Sequence, residues 1–355
     1  MSTTIASADF LTVATVSYAP QALVTLRSAR LHGHYAQLHF FALDATPEGL
    51  VGLRRALGED ASWIQLFGPH DLNDDDRSRF LSAFKYYNGI EMSCLAKYVG
   101  VAHVLRHSTS ADRCVYADAD ILFFGDTVEA VSELGEKAIL LTPHQFAPST
   151  DAAEHDYLLH GWVNAGFFVA NRDNSDVSKL LCWLVDRILR RGFLAPSLGL
   201  SADQTWVSLL PAMFSENVAI SRNPGCNVAY WNLHERKLVQ DGDTFLANGR
   251  PLMFFHFSGF QGAAPGKLTK HGDYVVPPHS ALATLCRSYR QMLDDDANLS
   301  DGAIATLPCS TLNLQGRILL GSQANQLHID APTLRRGIFA RVGMWLDSFL
   351  SRWQL

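Results

Sequence analysis

Two carboxylates spaced i, i+2 interrupt an apolar run between Cys114 and Asp126. If the backbone stays extended through Asp118-Ala119-Asp120, both acids point the same way, because strand side chains alternate faces with period two. Converging anions framed by apolar stretches need a cation, since an unpaired buried charge is strongly penalised. Oxygen ligands favour a hard ion such as Mg2+ or Mn2+, and two carboxylates leave coordination positions open for phosphate oxygens. The apolar run from Leu252 to Gly259 delivers one imidazole, His256, and two acids seeking a further ligand make it the third. The plain alternative, two solvated acids in a surface turn, sits poorly between two core-like runs.

The elements that must position these groups follow from apolar patterning. Phe10–Val16 reads as a strand, Pro20 opens a helix through Leu23 and Leu26, and His39–Leu43 is the next strand. Strand, helix, strand is a βαβ unit, whose ligands bind beyond the carboxyl ends of the strands. Tyr18 stands at that edge, where its ring could stack on a base or pack over the helix. Glu91–Leu105 has helical spacing, so Lys97 rides a helix leading into the acidic stretch and could reach a phosphate or sugar hydroxyl. Asn164-Ala165-Gly166 precedes a buried strand, and such small residues let backbone approach a ligand. Ser201 reads as the N-cap of a helix whose first turn holds Asp203 and Gln204.

Composition excludes several classes. The chain has 355 residues, 48% of them hydrophobic, enough for a large core, and a formal net charge of -6, which argues against general nucleic-acid binding. Its six cysteines form no C-x-x-C pair, as expected for reduced thiols in a cytosol. No export signal and no membrane-spanning run is expected.

Taken in order, Tyr18-Ala19-Pro20, Asp118-x-Asp120, Asn164-Ala165-Gly166, Asp203-Gln204 and His256 resemble glycosyltransferase family 8, or a bacterial relative of it, over roughly residues 9 to 270. The resemblance implies a GT-A fold, a Rossmann-like open mixed α/β sheet flanked by helices, with a C-terminal extension. It implies Mn2+ or Mg2+ held by Asp118, Asp120 and His256 on the diphosphate of a nucleotide-sugar, with UDP-hexose as donor. Lys267, beyond Gly259, resembles the lysine that contacts the diphosphate. Lys97, Asn164 and Ala165 would border the donor sugar, and Asp203 with Gln204 would face the reacting carbon. The implied reaction is hexosyl transfer with retention to a saccharide or lipid-linked acceptor in surface-glycan synthesis. A same-face attack with Gln204 stabilising the sugar cation is preferred to Asp203 as nucleophile. A protein-glycosylating transferase and a non-catalytic nucleotide-sugar-binding module are the rivals. Two departures stand out: Val16 and Ser17 occupy the place of the family's uracil-contacting acid or amide, and Gly266-Lys267-Leu268 replaces lysine-proline-tryptophan.

The expected organisation is a catalytic domain over 1–275 and an extension over 276–355. Leu282–Leu293 reads as a helix and 303–329 as a small β-rich appendage. In the last segment Ile338, Phe339, Val342, Trp345, Leu346, Phe349, Leu350 and Trp353 share one helical face, with arginines elsewhere. Such a helix suits a membrane interface, and equally the domain itself or a second subunit of a homodimer. A cytoplasmic enzyme, peripheral on the inner face of the membrane, is the corresponding expectation.

Overall fold

Strand β1 (Ala8–Ala14) is buried along its whole length, as a strand covered on both faces must be. Helix α1 (Ala19–His32) carries Pro20 in its first turn and returns the chain to β2 (Tyr35–Ala42), which runs parallel to β1. The computed structural model describes residues 7–261, 266–300 and 304–325. After β3 (Ile64–Phe67), the long helix α2 (Gly89–His107) starts from a capping box in which Asn88 and Glu91 satisfy each other's backbone N–H groups. It feeds β4 (Arg113–Ala117), followed by β5 (Ile121–Phe123), β6 (Ile139–Pro143), β7 (Val163–Asn171), α3 (Val177–Arg191) and β8 (Val218–Ile220).

Seven strands form one open sheet in the order β8-β6-β7-β4-β1-β2-β3, mixed because β7 is antiparallel to both of its neighbours. Alternation along β1 sends Leu11 and Val13 to one core with Leu95 and Tyr98 of α2. Phe10 and Ala14 go to the other, with Leu23 and Leu26 of α1. Helices therefore cover both faces, which is the α/β architecture expected from the sequence.

Strand β5 leaves that sheet. It pairs antiparallel with β10 (Phe254–His256), which pairs in turn with the short β9 (Val228–Ala229). Three residues, Asp118 to Asp120, carry the chain from one sheet to the other. Their backbone is not extended: Ile121 N–H donates to Asp118 C=O at 3.3 Å, closing a turn. Alternation along a strand is thus not what aims the two acids; the change of sheet is.

Helix α4 (Ala281–Asp295) packs Leu282, Leu285 and Tyr289 beside Val24 and Phe257, with the Tyr289 and Phe257 rings stacked at 4.1 Å. The span read as a β-rich appendage contains a helix instead, α5 (Leu314–Ala324), which packs on α3. Asn313 caps it through Gly316 N–H, Ile318 enters the core, and Arg317 forms a buried pair with Glu91 of α2 at 3.3 Å, a partner that local patterning does not reveal. The Ile338–Trp353 reading lies outside the described residues. Among the described residues, no helix is long and apolar enough to cross a membrane.

Candidate functional site

The register of the small sheet brings the third candidate ligand, His256, to Asp118 and Asp120. His256 of β10 lies opposite Ile121, and Phe257 N–H donates to Asp120 C=O at 2.8 Å. His256 Nε2 is 3.0 Å from Asp120 Oδ1, and one donor atom from each of Asp118, Asp120 and His256 lies within 4.8 Å of the others. With Mg2+ bonds near 2.1 Å, cis donors lie roughly 3 Å and trans donors roughly 4 Å apart, so a small closure of the group suits a divalent ion. Burial alone would raise the Asp120 carboxyl; the His256 ring beside it holds it below the ordinary carboxylate value.

Gly166 is what lets the ring sit there. A Cβ at that position would lie 2.4 Å from His256 Cε1 and 3.0 Å from Asp118 Oδ2. At Gly166 the space beside the backbone is taken by the His256, Asn164 and Asp118 side chains.

No family model matches the chain. Uncharacterized protein YfnF of Bacillus subtilis is 30% identical over 162 residues, 44% of this chain and 53% of that protein. Uncharacterized protein YfnD of the same organism is 25% identical over 65% of this chain and 71% of its own length. The chain therefore spans about half of YfnF. Among solved structures, a galactosyltransferase LgtC in complex with donor and acceptor sugar analogs is 14% identical, covers 87% of this chain and 99% of that one, and has a TM-score of 0.47. The glycosyltransferase GlyE of Streptococcus pneumoniae TIGR4 is 15% identical with a TM-score of 0.46, covering 86% of this chain and 66% of its own. Mouse xyloside xylosyltransferase 1 is 16% identical with a TM-score of 0.43, over 70% and 97%. These structural neighbours are glycosyltransferases.

A buried charge network backs the ligand cluster. Lys97 Nζ lies 3.1 Å from Asp118 Oδ1, 3.4 Å from Asp203 Oδ2 and 3.2 Å from the Ala165 carbonyl. Burial would depress the ammonium, but Asp118 and Asp203 raise it above the ordinary lysine value, so it stays charged. Tyr116 Oη donates to Asp118 at 2.5 Å and Tyr98 Oη to Asp203 at 3.0 Å. Burial, reinforced by those carboxylates, pushes both phenols well up and keeps them donors. Three carboxylates against one ammonium give these four side chains a formal charge of minus two, the amount one divalent cation balances.

The remaining sequence candidates divide. A cavity of about 610 Å³ opens beyond the end of β1, lined by Thr15, Tyr18, Ser93, Lys97, Asp118 and Asp120, with the Tyr18 ring 53% exposed. Asn164 Nδ2 donates to Gln204 Oε1 at 3.4 Å, and Gln204 Nε2 to the His160 carbonyl at 3.4 Å. Asp203, not Ser201, is the N-cap of the short helix Gln204–Val207, and its carboxylate does no capping because Lys97 and Tyr98 hold it. Gly259, at φ +64, is packed by His271 and Lys270. Lys267 pairs with exposed Asp273 at 3.7 Å, away from the cluster's hydrogen bonds.

Sequence reasoning missed the residues that orient the ligands. Asn227 is fully buried at φ +56, with Oδ1 3.3 Å from His256 Nδ1, and Trp231 sets its ring edge-on to His256 at 5.2 Å. The Asn223–Asn227 stretch signals a turn, and an asparagine there tolerates positive φ. Nothing local tells which side chain its amide will meet.

Proposed function

We propose that this chain is a metal-dependent glycosyltransferase of the GT-A type, moving a hexose from a nucleotide-sugar, UDP-hexose, to a saccharide or lipid-linked acceptor in surface-glycan synthesis. The convergence of Asp118, Asp120 and His256, with both carboxylates lining the cavity beyond β1, carries this reading. A divalent cation, Mn2+ or Mg2+, held by those three would supply positive charge to the diphosphate leaving group in place of a proton. In this proposal the enzyme is cytoplasmic, peripheral on the inner face of the membrane.

The chain's own side chains have separable tasks in this proposal. Tyr18 offers an exposed ring to the base, and Lys97 brings a fixed positive charge to the cavity wall. Asp203 is only 2% exposed and engaged by Lys97 and Tyr98, so it fixes the ammonium instead of attacking the sugar. Gln204, oriented by Asn164, offers its amide oxygen to the developing sugar cation, which favours same-face attack and retention. The exposed Lys267–Asp273 pair is weak enough for a diphosphate to displace.

The test is release of hexose from UDP-hexoses with Mn2+, with and without EDTA, in wild type and Asp120→Asn. Turnover should need metal and fall at least about 100-fold in the variant. Metal-independent turnover of equal rate refutes the reading, and donor binding by thermal shift without turnover favours the non-catalytic module.

A further inference from the structure

Helix α3 carries a second stripe that the core does not use. Leu180, Leu184 and Ile188 face inward, whereas Trp183, Arg187, Arg190 and Arg191, spaced i, i+4, i+7 and i+8, share another side and line a surface cavity of about 380 Å³. Trp206, Leu209 and Met213 form the facing wall. The Trp183 and Trp206 rings meet edge to face at 6.3 Å, and Trp206 Nε1 donates to the Arg191 carbonyl at 3.3 Å, which engages the polar atom of that indole and fixes its ring. Leu209 and Met213 are 43% and 55% exposed, adjoining apolar side chains that no protein segment covers. Charge beside these rings is mostly positive. Arg79, Arg187 and Arg190 share one carboxylate, Asp186, at 3.6, 3.7 and 3.0 Å, and Arg191 has no ion pair among the described residues. Four guanidinium groups against one carboxylate leave an excess of three positive charges, in a chain whose formal net charge is -6. The carbonyl end of a helix favours cations, which accounts for the arginines but not for two indoles and two bare aliphatic side chains next to them.

We propose that this cavity docks the anionic headgroups of a lipid bilayer, with the arginines on phosphate and Leu209, Met213 and the indole edges at the acyl boundary. The charge excess calls for an anion. A soluble phosphate would satisfy the guanidinium groups and leave Leu209 and Met213 in water, whereas a lipid joins its phosphate to an apolar chain and satisfies both. Indole rings suit that boundary, where one end is apolar and the other wet. Trp206 belongs to the four-residue helix Gln204–Val207, so docking here brings a bilayer to the segment that holds Gln204. Docking deepens, and for its biological setting rests on, the inner-face placement proposed above, yet adhesion itself needs neither metal nor donor.

Flotation of the full chain with phosphatidylcholine vesicles, with and without phosphatidylglycerol, tests this. Wild type should float with the anionic vesicles only and be released by about 0.5 M salt, which screens exposed charge. Arg187→Gln with Arg191→Gln should weaken partitioning about fivefold per arginine, so about 30-fold together. Leu209→Ser with Met213→Ser should weaken it about 10-fold by removing apolar contact. These side chains lie at the surface, so unfolding in urea should match wild type for both variants. Equal flotation with neutral vesicles overturns the proposal, and so does undiminished flotation of the arginine variant, which would assign adhesion to another part of the chain. A wild type that floats with neither overturns it too; if glycerol 3-phosphate then raises its melting temperature, the cavity takes a soluble anion. Both variants should release hexose from UDP-hexose in vesicle-free buffer as wild type does, so loss of docking is told apart from failure of the transferase reading.

Discussion

Replacing Gly166 by alanine adds one methyl at the point where the two sheets meet. That Cβ would stand 2.4 Å from His256 Cε1, 2.9 Å from Asn164 Oδ1 and 3.0 Å from Asp118 Oδ2. Ordinary carbon contacts begin near 3.5 Å, so the imidazole must retreat by about 1 Å. It has little freedom to do so, being 4% exposed, pinned by β10 pairing and bounded by Trp231. Overpacking of this kind costs about 1–3 kcal/mol, and misplacement of about 1 Å is enough to lower turnover ~100-fold. Mn2+ affinity should weaken by roughly 10- to 100-fold, measured by calorimetry, beside unfolding in urea. Gly100→Ala is the control: its Cβ presses on Leu11 and Phe41 in the core, away from the ligands, so it should lose stability and keep Mn2+ affinity. A Gly166→Ala protein that binds Mn2+ as wild type does would refute the claim that this glycine makes room for the ligand.

Further outcomes follow from the same contacts. Lys97→Met leaves buried Asp203 and half-buried Asp118 without their cation, which should cost about 3 kcal/mol in metal-free protein, with part returned by Mn2+ in a urea titration. A loss under about 1 kcal/mol, the scale of exposed pairs, contradicts this. Arg317→Ala strands buried Glu91 and should destabilise the chain by a similar ~3 kcal/mol, seen as an early transition in denaturant, which ties α5 to α2 energetically. Burial lowers the His144 ring from 6.5 to about 4. The folded protein keeps that ring neutral while the unfolded chain takes up its proton, so stability present above 6.5 is lost as pH falls toward 4. Between pH 7 and pH 5 the loss from this group is about 2 kcal/mol; His144→Phe should remove it, and an unchanged pH dependence of urea stability in that variant would count against it.

What the amino-acid order determined by itself is local. Apolar periodicity marked β1, α1, β2 and α2 to within a few residues, because burial on one stripe or on both faces leaves a pattern in neighbouring positions. Residue chemistry singled out Asp118, Asp120 and His256, three groups the fold brings within 4.8 Å of one another. What the tertiary structure alone decided is direction and partnership. The two acids converge because the chain turns between sheets, a consequence of β5 pairing with β10 more than 130 residues further along rather than of alternation within its own strand. Helix α5 meets α2 through the Arg317–Glu91 pair, and Asn227, outwardly a turn residue, became the partner of His256. Hydrogen bonds and ion pairs between distant segments depend on positions in space that no window of sequence contains, so the residues that hold a site in shape are the last to become visible.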